Sequence, residues 1–128
     1  MRVYWEDTDA GGVVYYANYL KFLERARSEW LREVGVDQAR LAREDRLQFA
    51  IVEANVRYRK PAVYDDLLSV SVAVTEARTA SVRFTQEIRR GSPEGELLVA
   101  AEIRAASLDS DNLRPRALPE SLLRVLAP

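Results

Sequence analysis

The hydrophobic pattern changes period once along the chain, and that change is the strongest constraint on the fold. From Tyr19, apolar residues fall at Tyr19, Phe22, Leu23, Ala26, Trp30 and Val34, with Lys21, Arg25, Ser28 and Arg32 opposite. Recurrence at three and four residues is helical, and Gly35 stands where a left-handed residue closes a helix. The spacing predicts one long helix from about Tyr16 to Val34. Beyond it the period is two. Val52, Ala54, Val56 and Tyr58 alternate with Glu53, Asn55, Arg57 and Arg59; Leu68, Val70, Val72 and Val74 alternate with Ser69, Ser71, Ala73 and Thr75. Val82, Phe84 and Ile88 follow with Gln86 in register, and Leu97 to Leu108 is the longest strand candidate.

Shorter elements complete the expectation. Val3 to Trp5 reads as a first strand, and Glu6 to Val14 as a loop, because Asp-Thr-Asp and Gly-Gly favour turns. A weaker helix starts after an Asp37 cap and runs to about Glu44. Gly91 to Gly95 makes a hairpin loop, and Pro119 opens a terminal helix through Leu126. A helix apolar on one side must bury that side, and only the sheet is large enough to receive it. The expected fold class is therefore α+β: an antiparallel sheet from residues 47 to 108 wrapped around the central helix, in one domain covering 1–128. One sheet over one helix leaves an edge open, so a homodimer or homotetramer is expected.

Composition removes many chemistries. There is no histidine and no cysteine, so Ser-His-Asp and Cys-His catalysis and the usual zinc sites are excluded. An enzyme built from this chain must work with carboxylates and backbone dipoles. A net charge of -1 gives no bulk attraction to nucleic acid or anionic membranes. No segment is long and apolar enough to insert in a membrane, and no secretory signal opens the chain. With no disulfides available, a cytoplasmic location is the expectation.

The segment richest in chemistry is Glu6-Asp7-Thr8-Asp9-Ala10-Gly11-Gly12-Val13-Val14-Tyr15-Tyr16-Ala17-Asn18-Tyr19. Carboxylates beside Gly-Gly often form a solvated turn, and Glu6, Asp7 and Asp9 could instead hold a hard cation, although the spacing is not that of an EF-hand loop. Asp7-x-Asp9-x-x-Gly12 with Val13-Val14-Tyr15-Tyr16-x-Asn18-Tyr19 resembles the signature of hot-dog-fold acyl-CoA thioesterases of the 4-hydroxybenzoyl-CoA thioesterase type. The longer run from Arg2 to Tyr15 is similar to the branch associated with the bacterial Tol–Pal envelope system. So are Glu24-Arg25-Ala26-Arg27, Tyr64-Asp65-Asp66-Leu67 and Pro115-Arg116-Ala117-Leu118-Pro119.

The resemblance implies hydrolysis of acyl-CoA to free acid and CoA, with Asp9 as the catalytic carboxylate and the Tyr16 N–H as the main donor to the thioester oxygen. It implies no metal and no organic cofactor. Gly12, Val13, Tyr15, Asn18 and Tyr19 would line the substrate, and Arg59, Lys60 and Arg78 would meet the CoA phosphates. Glu24 lies on the helix, where a related branch carries its catalytic carboxylate, but Arg25 and Arg27 beside it favour surface pairing. Physical chemistry supports the scheme independently: a helix N-terminus stabilises the oxyanion, a carboxylate attacks or activates water, and thiolate leaves without a strong acid. The residues leave nucleophile and general base both open. The rival reading is a non-catalytic module or scaffold binding acyl thioesters or acyl carrier protein in envelope lipid metabolism.

Overall fold

A computed structural model of the chain describes residues 1–128. The central helix α1 runs Asn18–Glu33 and is closed as its sequence predicts. Gly35 takes φ +90°, and Val36 N–H donates to Leu31 O at 2.8 Å, satisfying a carbonyl left over at the helix end. A single turn, α2 (Gln38–Arg40), is capped by the Asp37 carboxylate, which accepts from Arg40 N–H. It passes into a wider π-helical turn over Leu41–Asp45.

The sheet contains β1 (Leu47–Tyr58), β2 (Leu68–Val70), β3 (Ala73–Ala77), β4 (Ser81–Arg90) and β5 (Leu97–Asp109), followed by α3 (Glu120–Leu126). All pairings are antiparallel, in the order β1-β5-β4-β2, with β3 also on β4. One face covers α1. Val82, Phe84, Gln86 and Ile88 of β4 and Leu98, Ala101, Ile103 and Ala105 of β5 are buried with Tyr19, Phe22, Leu23 and Leu31 of the helix. Each fully buried large apolar side chain contributes about 1.5–3 kcal/mol. This is the α+β hot-dog architecture.

The structure corrects several expectations. Val3 to Trp5 is not a strand: Trp5–Asp7 forms a 3₁₀ turn, because the Asp7 carboxylate accepts from Tyr4 N–H and folds the chain over. Only Arg2 bridges to Leu67. The run from Leu68 to Thr75 breaks into β2 and β3. At the break the Ser71 hydroxyl accepts from Glu87 N–H at 2.9 Å, a local bond that competes with the ladder. β1 begins earlier than its clean alternation, and its register shifts between Ile51 and Glu53. That bulge lets Leu47, Phe49 and Ile51 share the inner face with Val56 and Tyr58, although their spacings are out of phase.

The helix face is also rotated from the sequence reading. Arg27 and Leu31 are buried, whereas Trp30 is only half-buried, edge-on to Phe84. The sheet curls over the 19–23–27 side of the helix, which leaves Trp30 at the rim.

A carboxylate loop beside an uncapped helix end

The segment from Asp7 to Tyr15 folds back on itself as a small hairpin. Tyr15 N–H donates to Asp7 O, Thr8 bridges to Val14, and Asp9 N–H donates to Val13 O. Gly12 turns the tip with φ +81°, a conformation that disfavours other residues, and its N–H donates to Asp9 O at 3.0 Å. The outer strand of this hairpin joins the body of the protein: Val13 bridges to Val63, and Val14 N–H donates to Ala62 O.

Within the hairpin the two aspartates have different jobs. Asp7 is spent on structure. Its carboxylate holds Tyr4 N–H, and its carbonyl accepts from both Tyr15 N–H and Asn18 Nδ2. Asp9 is exposed and lightly held. Its Oδ1 accepts from Gly11 N–H at 2.8 Å, and no protein donor binds Oδ2. A Cβ at Gly11 would lie 3.1 Å from that same Oδ1, so glycine leaves room for the carboxylate. Glu6, Asp7 and Asp9 do not converge into a group able to hold a metal ion.

Helix α1 starts beside this loop without a side-chain cap. Its N-cap position is Ala17, which has no side-chain acceptor, and the Asn18 side chain donates across to Asp7 O. Neither Tyr16 N–H nor Ala17 N–H has an acceptor in the protein. Two donors without a protein acceptor therefore lie at the positive end of the helix dipole, one turn of chain after the hairpin that carries the exposed Asp9. Such an arrangement receives an oxygen that gains negative charge.

Aromatic residues frame the opening. Tyr16 is 62% exposed, Tyr15 lies beside it at a ring separation of 5.0 Å, and Tyr58 meets Tyr16 edge-on at 6.3 Å. Tyr58 Oη donates to Tyr16 O at 3.3 Å, which orients the start of the helix. The Tyr16 phenol, loss of water and then the Asp9 carboxylate hold the Tyr15 phenol above its usual range. Tyr19, expected to line substrate, is in the core: it is buried, its ring packs on Phe22 and Tyr58, and its hydroxyl accepts from Ala62 N–H.

The three expected phosphate-binding cations do not gather. Arg59 and Lys60 directly follow Tyr58, are exposed and form no ion pair. Arg78 is ion-paired with Glu76 at the other end of β4, beside Ser81, whereas Arg59 and Lys60 lie at the Leu98 end of the sheet. Across the intervening strand length of about 30 Å, Arg78 cannot join them within one chain. Glu24 accepts from Ser28, and these two residues line a cavity of about 140 Å³ with Arg27, Leu31, Phe49 and Phe84, to which Asp9 does not contribute. Sequence reasoning missed Tyr58, which touches the helix start from a strand; its position on an inner-face alternation was the available signal.

The edge of the sheet next to the site is open. β1 pairs only with β5, and Ile51, Val52 and Tyr58 are each about half exposed.

An antiparallel sheet wrapped around one long helix is the fold of the hot-dog thioesterases. The chain belongs to the thioesterase-like superfamily, whose family model matches residues 3–126. It is 44% identical over 123 residues to the acyl-CoA thioester hydrolase YbgC of Escherichia coli O157:H7, covering 96% of this chain and 90% of that one. It is 40% identical over 122 residues to the acyl-CoA thioesterase YbgC of Haemophilus influenzae, covering 95% and 88%. The fold superposes on a 4-hydroxybenzoyl CoA thioesterase mutant complexed with 4-hydroxybenzoyl CoA at a TM-score of 0.88, with 24% identity and coverage of 99% and 95%.

Proposed function

We propose that the protein hydrolyses acyl-CoA thioesters, with Asp9 as the catalytic carboxylate and the Tyr16 N–H as the principal oxyanion donor. The observation that carries this is the pairing of an exposed, singly held carboxylate with two unclaimed N–H groups at an uncapped helix start. The similarity to YbgC acyl-CoA thioester hydrolases supports the reaction class.

The chemistry follows from that pairing. The thioester carbonyl oxygen is received by Tyr16 N–H, with Ala17 N–H alongside. The free Asp9 Oδ2 either takes a proton from a water whose oxygen bonds to the carbonyl carbon, or attacks that carbon itself. In both routes the carbon–sulfur bond breaks as the tetrahedral oxyanion collapses, and CoA leaves as a thiolate. The direct route adds an anhydride that water then opens. Tyr15, Tyr16 and Tyr58 offer the acyl group an aromatic wall, and Arg59 and Lys60 offer the CoA phosphates unpaired cations.

The same reading places a second copy against the open edge of β1, making a homodimer or a homotetramer built from it. The half-exposed Ile51, Val52 and Tyr58 support it, and they put the Tyr16 opening at the boundary between copies. We place the protein in the cytoplasm on the absence of cysteine. Acyl carrier protein as a partner and a link to the Tol–Pal system rest on the resemblance to that branch alone.

Release of free thiol from a panel of acyl-CoA substrates tests the activity. Turnover of at least one substrate, abolished by Asp9→Asn, is the expected result. Binding of acyl-CoA without turnover would instead favour the non-catalytic module.

A further inference from the structure

Trp5 and Tyr64 stack face to face, with ring centroids 3.7 Å apart and planes 9° from parallel. Only one face of the indole is used, and Trp5 remains 69% exposed. Both rings stand on pinned turns. Trp5 O accepts from Thr8 N–H and Thr8 Oγ, while Val63 N–H donates to the Asp66 carboxylate and Asp65 N–H donates to Val3 O on either side of Tyr64. The plane of the indole is thus set before anything binds.

A free cation lies beside the stack. Arg2 Nη1 donates to Asp65 O, the carbonyl next to Tyr64, at 2.8 Å, and Arg2 forms no ion pair. Its remaining N–H donors are uncommitted. Lys60, also unpaired, is four residues from Tyr64, and Trp5 is four residues from Asp9, so each pair is separated by at most about 14 Å. An aromatic face with a neighbouring unpaired guanidinium suits a base carrying phosphate: the base stacks and the phosphate takes parallel N–H bonds. Glu6 and Asp65 are exposed near the stack, so the positive charge available to a phosphate there comes from the unpaired Arg2 and Lys60.

We propose that the open face of Trp5, backed by Tyr64, seats the adenine base of the substrate's CoA, with Arg2 and Lys60 beside its phosphates. This rests on the thioesterase reading, which supplies the adenine nucleotide. The pantetheine arm, longer when extended than the Trp5–Asp9 separation, joins the two ends of one substrate. The ring stack then acts on binding of the nucleotide and not on the chemical step.

Two measurements test it. Calorimetric titration with adenosine 3′,5′-bisphosphate should show binding to the wild type, weakened at least about fivefold in Trp5→Leu and largely kept in Trp5→Phe, the lower end for losing one stacked base. The ratio of kcat/KM on acyl-CoA to that on the matching acyl-pantetheine should fall about tenfold in Trp5→Leu and several-fold in Arg2→Gln. A general folding defect lowers both rates and leaves that ratio unchanged. Equal bisphosphate affinity in wild type and Trp5→Leu overturns the proposal. So does an unchanged ratio accompanied by a smaller assembly in sedimentation, which would make the ring face a contact between copies. A wild type that turns over no acyl-CoA defeats the thioesterase reading, and the bisphosphate titration then decides the stacking site alone.

Discussion

Arg27 Nη1 donates to Gln86 Oε1 at 2.9 Å inside the protein, tying the middle of α1 to β4. Gln86 is fully buried and passes the connection on, donating through Nε2 to Leu23 O and Ser71 O. Arg27 is 8% exposed, and burial holds its guanidinium below the usual range, with Glu24 partly opposing the shift.

This pair gives a stability prediction. Gln86→Leu leaves a desolvated guanidinium without its acceptor and should cost about 2–4 kcal/mol. Arg27→Met should cost less, because an apolar chain of similar length removes the charge together with its need. Denaturant melts of both single variants and the double variant should show coupling of about 1 kcal/mol or more. Strict additivity would mean the two side chains do not support each other.

Asp9→Asn keeps the shape of the side chain and removes its charge. We expect kcat to fall by at least about 100-fold, the lower end for losing a general base, with an unchanged melting temperature. Asp7→Asn should behave differently, losing stability first, because Asp7 holds Tyr4 N–H. A folded Asp9→Asn enzyme with near wild-type turnover would remove Asp9 from the chemistry.

The two glycines at the loop tip should separate stability from activity. Gly12→Ala forces a side chain into φ +81° and should destabilise by about 1–2 kcal/mol. Gly11→Ala has no such strain, but its Cβ presses on Asp9 Oδ1 and should lower kcat more than it lowers the melting temperature. The reverse ranking, read from kinetics and thermal melts together, would contradict this assignment.

Tyr19 sets an alkaline limit on stability. Burial, the largest influence, raises its phenol above the ordinary value, opposed by the Ala62 hydrogen bond. A phenol harder to ionise when folded contributes stability that is complete below the unfolded pKa of about 10 and is lost as pH rises through the folded value. Tyr19→Phe should therefore flatten the fall in stability above pH ~10, measured by denaturant melts across the alkaline range. An equally steep fall in the variant would place the alkaline sensitivity elsewhere.

Val52→Lys places a charge on the open edge of β1 and should convert the assembly to monomers without unfolding them. Sedimentation and circular dichroism on one sample check this together. An unchanged sedimentation coefficient would move the interface away from this edge.

Local periodicity determined the class of fold. A 3.6-residue repeat around Phe22 and Leu23 followed by two-residue repeats through Val82 to Leu108 specifies one helix against one antiparallel sheet, because backbone geometry ties side-chain direction to sequence spacing. Local chemistry likewise marked Gly35 as the helix stop, and the resemblance of the Asp7–Tyr19 segment to a known signature marked the Asp9–Gly12 turn as the candidate site. What the sequence could not supply were properties that depend on which distant segment arrives. Whether Trp30 or Leu31 faces inward depended on how the sheet curls over α1. The separation of Arg78 from Arg59 and Lys60 depended on strand direction. Asn18 ties the helix start to the hairpin through Asp7 O, and with alanine at the N-cap the Tyr16 and Ala17 N–H groups keep no acceptor in the protein. Tyr58 reached that start only because the bulge at Ile51–Glu53 restored its strand to the inner face. Those outcomes are set by competition among contacts that form only when the sheet closes around the helix.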